Sequence, residues 1–149
     1  MNPMTAALEQ AKKVKGEIAV GAAIVKDNKI IALASNSKEA SNDVTAHAEI
    51  LAIRKAAQNL GTWRLEGCEL YVTLEPCPMC TWAILQSRIS AVYFGSYDAN
   101  YGALGSAMDL RKTANSKLKV YGGIQEKECD EVLKNCFTKI RQAGERNDY

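Results

Sequence analysis

The chain has 149 residues, a length that fits one domain, residues 1–149, and is too short for two independent hydrophobic cores. Its composition, 47% hydrophobic and 24% charged, is that of a folded protein, and no stretch reaches the roughly 18 consecutive apolar residues of a membrane span. The first residues lack the pattern of an export signal, so we expect a cytoplasmic protein, and the net charge of +2 permits a polyanionic partner without requiring one.

The first 61 residues predict a helix, a strand hairpin and a second helix. Thr5–Lys15 has apolar residues at helical spacing, whereas Ile18–Val25 and Lys29–Ala34 are apolar, β-branched runs separated by a short polar turn. Ala46–Leu60 again has helical spacing, with Thr45 as a candidate N-cap. The hairpin predicts antiparallel pairing of the first two strands.

The rest of the chain continues the alternation of strands and helices. The predicted elements are a strand at Glu69–Leu74, a helix from Pro76 to about Arg88, a strand at Ala91–Phe94, a glycine-rich loop at Gly95–Gly105, a short helix at Ser106–Leu110, a strand at Leu118–Tyr121 and an amphipathic helix around Cys129–Ile140. A strand, helix, strand order implies a right-handed crossover and parallel pairing. We therefore predict an α/β fold in which helices cover both faces of a mixed five-stranded sheet.

Two short motifs carry candidate metal ligands. His47, the only histidine, begins the motif His-Ala-Glu, and about thirty residues later Cys77 and Cys80 form a Cys-Pro-Met-Cys motif. Cysteines three residues apart share a helix face and can converge on one ion. One imidazole and two thiolates are one ligand short of a closed structural zinc site, which leaves a position for water. Zinc suits this mixed nitrogen and sulfur set best, with iron as the alternative.

Glu49 is the candidate proton carrier. On a regular helix its side chain and that of His47 point to opposite sides, so the pair makes sense only at the mouth of a helix. Zinc lowers the pKa of water toward neutrality, and a nearby carboxylate can take the proton and return it to a substrate. His-x-Glu with Pro-Cys-x-x-Cys is the pattern of the zinc-dependent nucleobase deaminases, and a structural zinc or a redox cysteine pair is the competing interpretation.

Longer stretches of sequence, beyond the metal motif, also resemble those of known deaminases. They are Val20-Gly21-Ala22, Thr45 to Ile50, Trp63 to Gly67, Leu70 to Cys77, Ser87-Arg88-Ile89, Phe94-Gly95 and Gly102 to Ser106. Over most of residues 5–142 the chain resembles the bacterial tRNA adenosine deaminases of the cytidine deaminase superfamily, which convert a wobble adenosine to inosine. The resemblance implies a cytidine deaminase-like three-layer α/β/α sandwich, a Zn²⁺ cofactor, a homodimer and binding of a tRNA anticodon stem-loop.

The same resemblance implies three substrate contacts. Asn36 would hydrogen-bond a base flipped out of its stack, the Ala48 backbone would read the base edge, and Asp98 would lie beside the anticodon. The structural alternatives are that Asn36 is a turn residue and that Asp98 is a loop cap. Trp82 stands where the family usually has glycine, and we predict it at a subunit contact or beside the substrate groove, with core filling as the alternative.

Two other functions are left open by the sequence. The metal motif is shared by deaminases of free bases or nucleosides such as guanine or cytosine, and Pro78 between the cysteines resembles the guanine deaminases. A catalytically idle zinc domain that binds RNA or a partner subunit is disfavoured, because it would not need Glu49. The polar tail Gly144–Tyr149 predicts an open groove without a lid. Basic residues that are candidates for phosphate contacts are Lys26, Lys29, Arg64, Lys112 and Arg141.

Overall fold

The computed structural model of the chain describes residues 2–144. Five strands form one sheet in the order β2-β1-β3-β4-β5. The strands are β1 (Gly21–Lys26), β2 (Lys29–Ser35), β3 (Cys68–Leu74), β4 (Ala91–Ser96) and β5 (Lys119–Tyr121). β1 pairs antiparallel with β2 and β3, whereas β3, β4 and β5 are parallel. The prediction of a mixed five-stranded sheet is confirmed.

A two-residue turn fixes the register of the β1–β2 hairpin. Asp27 and Asn28 both have positive φ, 51° and 63°, and Lys26 pairs with Lys29. Two successive residues with positive φ form the turn type whose twist matches that of the flanking strands, and asparagine and aspartate tolerate this conformation best. The predicted hairpin is therefore confirmed at its turn.

Six helices accompany the sheet in the described part of the chain. They are α1 (Pro3–Ala11), α2 (Lys38–Ser41), α3 (Ala48–Leu60), α4 (Pro78–Gln86), α5 (Leu110–Ala114) and α6 (Glu126–Gln142). The short helix predicted at Ser106–Leu110 is wrong. Leu104 and Asp109 form a β-bridge there, and α5 starts only at Leu110. The Asp109 side chain caps this helix by accepting a hydrogen bond from the Arg111 N–H. Thr45 is not the N-cap of α3, since its N–H and hydroxyl bind Asp43 and His47 takes that position.

The core lies on both faces of the sheet. On one face, alanines 48, 52 and 56 of α3 and Ile84 of α4 pack with Leu70 and Val72 of β3. On the other, Met4 and Leu8 of α1 pack with Ala23 and with Cys129 of α6. Small residues along α3 let the helix lie close to the strands, which brings its N-terminus next to that of α4. Among the described residues, no helix combines the length and the apolar character needed to cross a bilayer.

Candidate metal centre and active site

His47 and Cys77 are the N-cap residues of two neighbouring helices, α3 and α4. Both have extended backbone angles, φ −77° with ψ 151° for His47 and φ −74° with ψ 172° for Cys77. An N-cap side chain is free of the helical spacing, so His47 and Glu49 can approach the same point although they are two residues apart. Pro78 occupies the first helical position after Cys77, where its missing N–H costs nothing.

The ligand atoms of His47, Cys77 and Cys80 lie within 4.8 Å of one another. The His47 Nδ1 atom is 3.7 Å from the Cys77 Sγ and 3.4 Å from the Cys80 Sγ. A tetrahedral zinc ion with bonds of about 2.0 Å to nitrogen and 2.3 Å to sulfur sets such atoms about 3.5 Å apart. The three side chains therefore fit a zinc ion with little rearrangement, and they leave a fourth position open.

The pKa values of the two cysteines shift in opposite directions. The hydrogen bond from the Cys80 thiol lowers the pKa of Cys77 to about 4, and the His47 side chain acts in the same direction. That same hydrogen bond, together with burial, raises the pKa of Cys80. The pair thus supplies one thiolate in advance, and binding of a metal by both sulfurs would release the Cys80 proton.

Glu49 lies in the first turn of α3 with a side chain that is only 4% exposed. Burial, followed by the negative charge of Cys77, raises its pKa to about 7. A carboxyl group with a pKa near neutrality can accept and return a proton at little cost. Its place beside the three candidate ligands is the one that a proton carrier requires.

A pocket lies in front of these residues. Its lining includes His47, Glu49 and Cys77 from the two helix starts, Ala48, and Asn36 at the end of β2. The Asn36 amide is engaged within the protein, because its Nδ2 donates to Glu17 Oε1 and the Ile18 carbonyl while its Oδ1 accepts from the Val20 N–H. Contact of Asn36 with a base is therefore still a prediction.

Asp98 lies outside this pocket, in a groove that adjoins it. Ile18 and Leu74 line both, and the remaining groove residues come from α6 and the 97–101 segment. The Asp98 Oδ1 accepts hydrogen bonds of 3.1 Å from the Asn100 and Tyr101 N–H groups, which is the geometry of a loop cap. The absence of a lid over this groove stays a prediction, because residues 145–149 of the tail used to make it lie outside the described part of the chain.

Two acidic residues of the pocket had no role in the sequence interpretation. Glu17 accepts hydrogen bonds from Asn36 and from the N–H groups of Lys38 and Glu39, and so closes one wall. Glu75, two residues before Cys77, is 1% exposed and also lines the pocket. Glu17 gave no sequence signal, because its partners are about twenty residues away. Glu75 lies in the Leu70 to Cys77 stretch that carries the resemblance, but the sequence assigned it no role of its own.

The fold and the three-ligand centre are those of a zinc-dependent deaminase. In agreement, residues 2–96 match the family of the cytidine and deoxycytidylate deaminase zinc-binding region. The tRNA-specific adenosine deaminase of Bacillus subtilis is 44% identical over 93% of this chain and 89% of its own length. The chain belongs to the tRNA-specific adenosine deaminase family.

Two solved structures show how far the similarity extends. A structure from a study of A-to-I editing by tRNA:A34 deaminases at the wobble position of transfer RNA superimposes with a TM-score of 0.81, at 41% identity over 88% of this chain and 98% of that one. A guanine deaminase from Bacillus subtilis reaches a TM-score of 0.61 at 43% identity, over 65% of this chain and 66% of its own. The tRNA enzyme thus matches more of the fold than the free-base enzyme.

Proposed function

We propose that this protein hydrolyses the exocyclic amine of the wobble adenosine in a tRNA anticodon, giving inosine and ammonia, and that residues 1–149 act as one deaminase domain. The observation that carries the proposal is the convergence of His47, Cys77 and Cys80 on one point, with the buried Glu49 beside His47 and Cys77 in one pocket, in a chain of the tRNA-specific adenosine deaminase family. The function resembles that of relatives matched along almost their whole length.

Each residue of the site has a chemical task in this proposal. His47, Cys77 and Cys80 would hold the ion, and zinc supplies Lewis acidity that makes water a nucleophile near neutral pH. Glu49 would carry both protons of the water, the first to a ring nitrogen of the base and the second, from the added hydroxyl, to the amine that leaves as ammonia, and a pKa of about 7 suits both transfers. The Ala48 backbone and Asn36 would orient the base in the pocket.

The groove beside the pocket favours a base that remains attached to a polynucleotide. An enzyme for free bases encloses its ligand, whereas a flipped base needs a channel for the flanking backbone. The groove lined by Asp98, Tyr97 and Tyr101 continues from the pocket and offers such a channel. Work on tRNA would place the protein in the cytoplasm.

A homodimer is part of the proposal. Exposed apolar side chains include Val44 (71%) before α3, Met79 (37%) and Trp82 (45%) in α4, and Met108 (44%) before α5. Large apolar side chains left in solvent are candidates for an interaction surface. Trp82 does not fill the core and lines neither the pocket nor the groove, so of its predicted positions a subunit contact is the one that we propose.

One assay separates the proposed function from its alternative. The purified zinc-loaded protein is incubated with an anticodon stem-loop that has adenosine at the wobble position and, separately, with free adenine, guanine and cytosine. We expect inosine in the stem-loop and no release of ammonia from the free bases. Turnover of a free base without activity on the stem-loop would instead identify a free-base deaminase.

Glu49→Gln is the matched control for this assay. It keeps the size of the side chain and all three candidate ligands but cannot carry a proton. We expect it to retain zinc and to lose turnover by a factor of at least about 10². Unchanged turnover would mean that another group carries the proton.

A further inference from the structure

Glu75 is a buried acidic residue that forms no salt bridge with the other described residues. Its side chain is 1% exposed. An isolated buried carboxylate is costly unless hydrogen-bond donors surround it. Such a group is expected to have a specific structural or functional task.

Four donors, all from one loop, surround this carboxylate. Oε1 accepts from the Asp98 N–H at 3.2 Å and from the Ser106 hydroxyl at 2.5 Å. Oε2 accepts from the N–H groups of Leu104 and Ser106, each at 3.1 Å. A single side chain therefore closes the 98–106 loop at both of its ends.

Gly102 permits the close approach of loop and carboxylate. A Cβ atom at this position would lie 2.4 Å from the Glu75 Cδ and 2.5 Å from the Asp98 carbonyl oxygen. The next residue, Ala103, donates its N–H to the Pro76 carbonyl at 2.9 Å. The loop is thus fastened to residues 75 and 76, directly before the candidate ligand Cys77.

The fastened loop forms one wall of the substrate groove. Tyr97, Asp98 and Tyr101 line that groove, and Tyr97 and Tyr101 are 54% and 45% exposed. The strand end that carries Glu75 contributes Leu74 to both the groove and the pocket. Glu75 therefore fixes the separation between the groove wall and the candidate metal centre.

We propose that Glu75 is a positioning residue for the polynucleotide substrate: it holds the 98–106 loop so that the groove and the pocket accept one continuous RNA segment. This role rests on the proposed function, because the groove matters only for a substrate larger than a base. Charge-assisted hydrogen bonds to backbone N–H groups are strong and directional, which suits them to fix a loop. Glu75 acts through the loop, because both of its carboxylate oxygens accept hydrogen bonds from loop donors.

Glu75→Gln tests the role with almost no change in volume. An amide nitrogen in place of Oε1 would face the Asp98 N–H, and in place of Oε2 it would face those of Leu104 and Ser106, so at least one donor loses its acceptor in either orientation. We expect the KM for inosine formation in an anticodon stem-loop to rise about 10-fold, a change equivalent to 1.4 kcal/mol. We expect kcat to stay within about 3-fold and the zinc content to be unchanged, since neither the ligands nor Glu49 are altered.

Glu69→Gln is the matched control, because it makes the same substitution in the same strand, where the Glu69 Oε2 accepts from the Tyr93 hydroxyl. Its KM and kcat should equal those of the unmodified protein. Gly102→Ala should reproduce the rise in KM from the loop side. In the double variant with Glu75→Gln, Gly102→Ala should raise KM by a smaller factor than it does alone, because both changes disrupt the same contact.

Ser106→Ala serves if Glu75→Gln does not fold, since it removes one donor and leaves the buried carboxylate in place. It should raise KM about 3-fold, and amide hydrogen exchange in residues 98–106 should accelerate in each loop-disrupting variant that folds. An unchanged KM, a loss confined to kcat, or loss of zinc would overturn the role of Glu75. Absence of inosine formation by the unmodified protein would overturn the proposed function itself, so the two failures are distinguishable.

Discussion

The N-cap position of His47 and Cys77 explains how so few residues can build the metal centre. At a helix start, the first N–H groups point outward and the helix dipole favours negative charge. The starts of α3 and α4 meet, so the Cys77 thiolate and the Glu49 carboxyl lie where two positive helix ends converge. The same placement frees both N-cap side chains from the helical periodicity that would otherwise separate them from their partners.

Cys77→Ser and Cys80→Ser test the proposed ligand set. A serine hydroxyl is a poor substitute for a thiolate, so each variant should lose most of its zinc and the stability that zinc adds. With free zinc at 100 times its Kd, the unmodified protein gains about 2.7 kcal/mol, or on the order of 5–10 °C in Tm. Zinc per chain and Tm are measured together.

Cys136→Ser is the control for the two ligand variants. The Cys136 thiol donates to the Glu17 carbonyl at 2.9 Å, a bond that a serine hydroxyl can also make, and it lies outside the ligand cluster. This variant should keep its zinc and its Tm. Full zinc retention in both ligand variants would refute the assignment of the centre.

Glu49 should make the stability of the metal-free protein depend on pH. Because its pKa is raised to about 7 in the folded state from 4.5, the stabilisation by its neutral form is fully present below about pH 4.5 and is lost as the pH rises through 7. The amide introduced by Glu49→Gln does not titrate between pH 4.5 and pH 8. Urea unfolding should therefore show the variant more stable than the unmodified protein at pH 8, with the difference vanishing near pH 4.5. An equal difference at both values would contradict the raised pKa.

At the scale of the elements, local signals specified most of the fold. Three local signals, the Asp27-Asn28 turn, the apolar spacing of α3 and the prolines at the start of α4, each act over a few residues, and each predicted its element to within a few positions. The start of α5 and the helix α2 were missed, because they depend on contacts from other parts of the chain. The Glu17 carboxylate accepts at the start of α2, and the Glu75 carboxylate shapes the loop before α5.

In the candidate site, too, some features follow from local sequence and others depend on contacts between distant parts of the chain. Its metal motif is a fixed spacing of reactive side chains and could be identified from the sequence. Its pocket wall is assembled by Glu17 and Glu75 over long chain separations, which no local pattern encodes. For Asn36 and Asp98, the structure adds internal hydrogen bonds that the resemblance alone did not suggest.

Gly21 controls the packing of α1 against β1. A Cβ at this position would lie 1.7 Å from the Ala7 carbonyl oxygen and 2.7 Å from the Ala11 nitrogen, both in the backbone of α1. Gly21→Ala must therefore displace the helix, and we expect it to lower the free energy of unfolding by about 3 kcal/mol or more, measured in urea.

Gly61→Ala is the comparison for this substitution. Gly61 ends α3 with φ +70°, and within the described part of the chain no atom beyond its own neighbouring residues lies within 4 Å of the point that an alanine Cβ would occupy, so only backbone strain of about 1–2 kcal/mol is added. A smaller loss for Gly21→Ala than for Gly61→Ala would show that α1 is not held tightly on the sheet.

At the scale of the molecule, the pocket and the groove lie at one end of the sheet. β3 ends at Leu74, β2 ends beside Asn36, and the pocket forms between them. Lys26 pairs with Cys68 at the start of β3, so the hairpin lysines lie at the opposite end. The six steps along β2 from Lys29 to Ser35 span about 20 Å. Of the basic residues, Lys38 lies in the pocket lining itself.

Binding of an anticodon stem-loop should therefore depend on salt through Lys38 more than through the hairpin. Each phosphate contact releases condensed counterions and contributes about 0.7–0.9 to the slope of log Kd against log salt concentration. Lys38→Ala should weaken binding for every stem-loop sequence and reduce that slope by about one contact. Lys29→Ala removes the same charge about 20 Å away along β2 and should leave the slope unchanged.

The slopes are obtained from Kd values at several salt concentrations with the catalytically impaired Glu49→Gln background, so that the RNA is not converted during the titration. A reduced slope for Lys29→Ala with none for Lys38→Ala would place the RNA on the hairpin end of the sheet and away from the candidate metal centre.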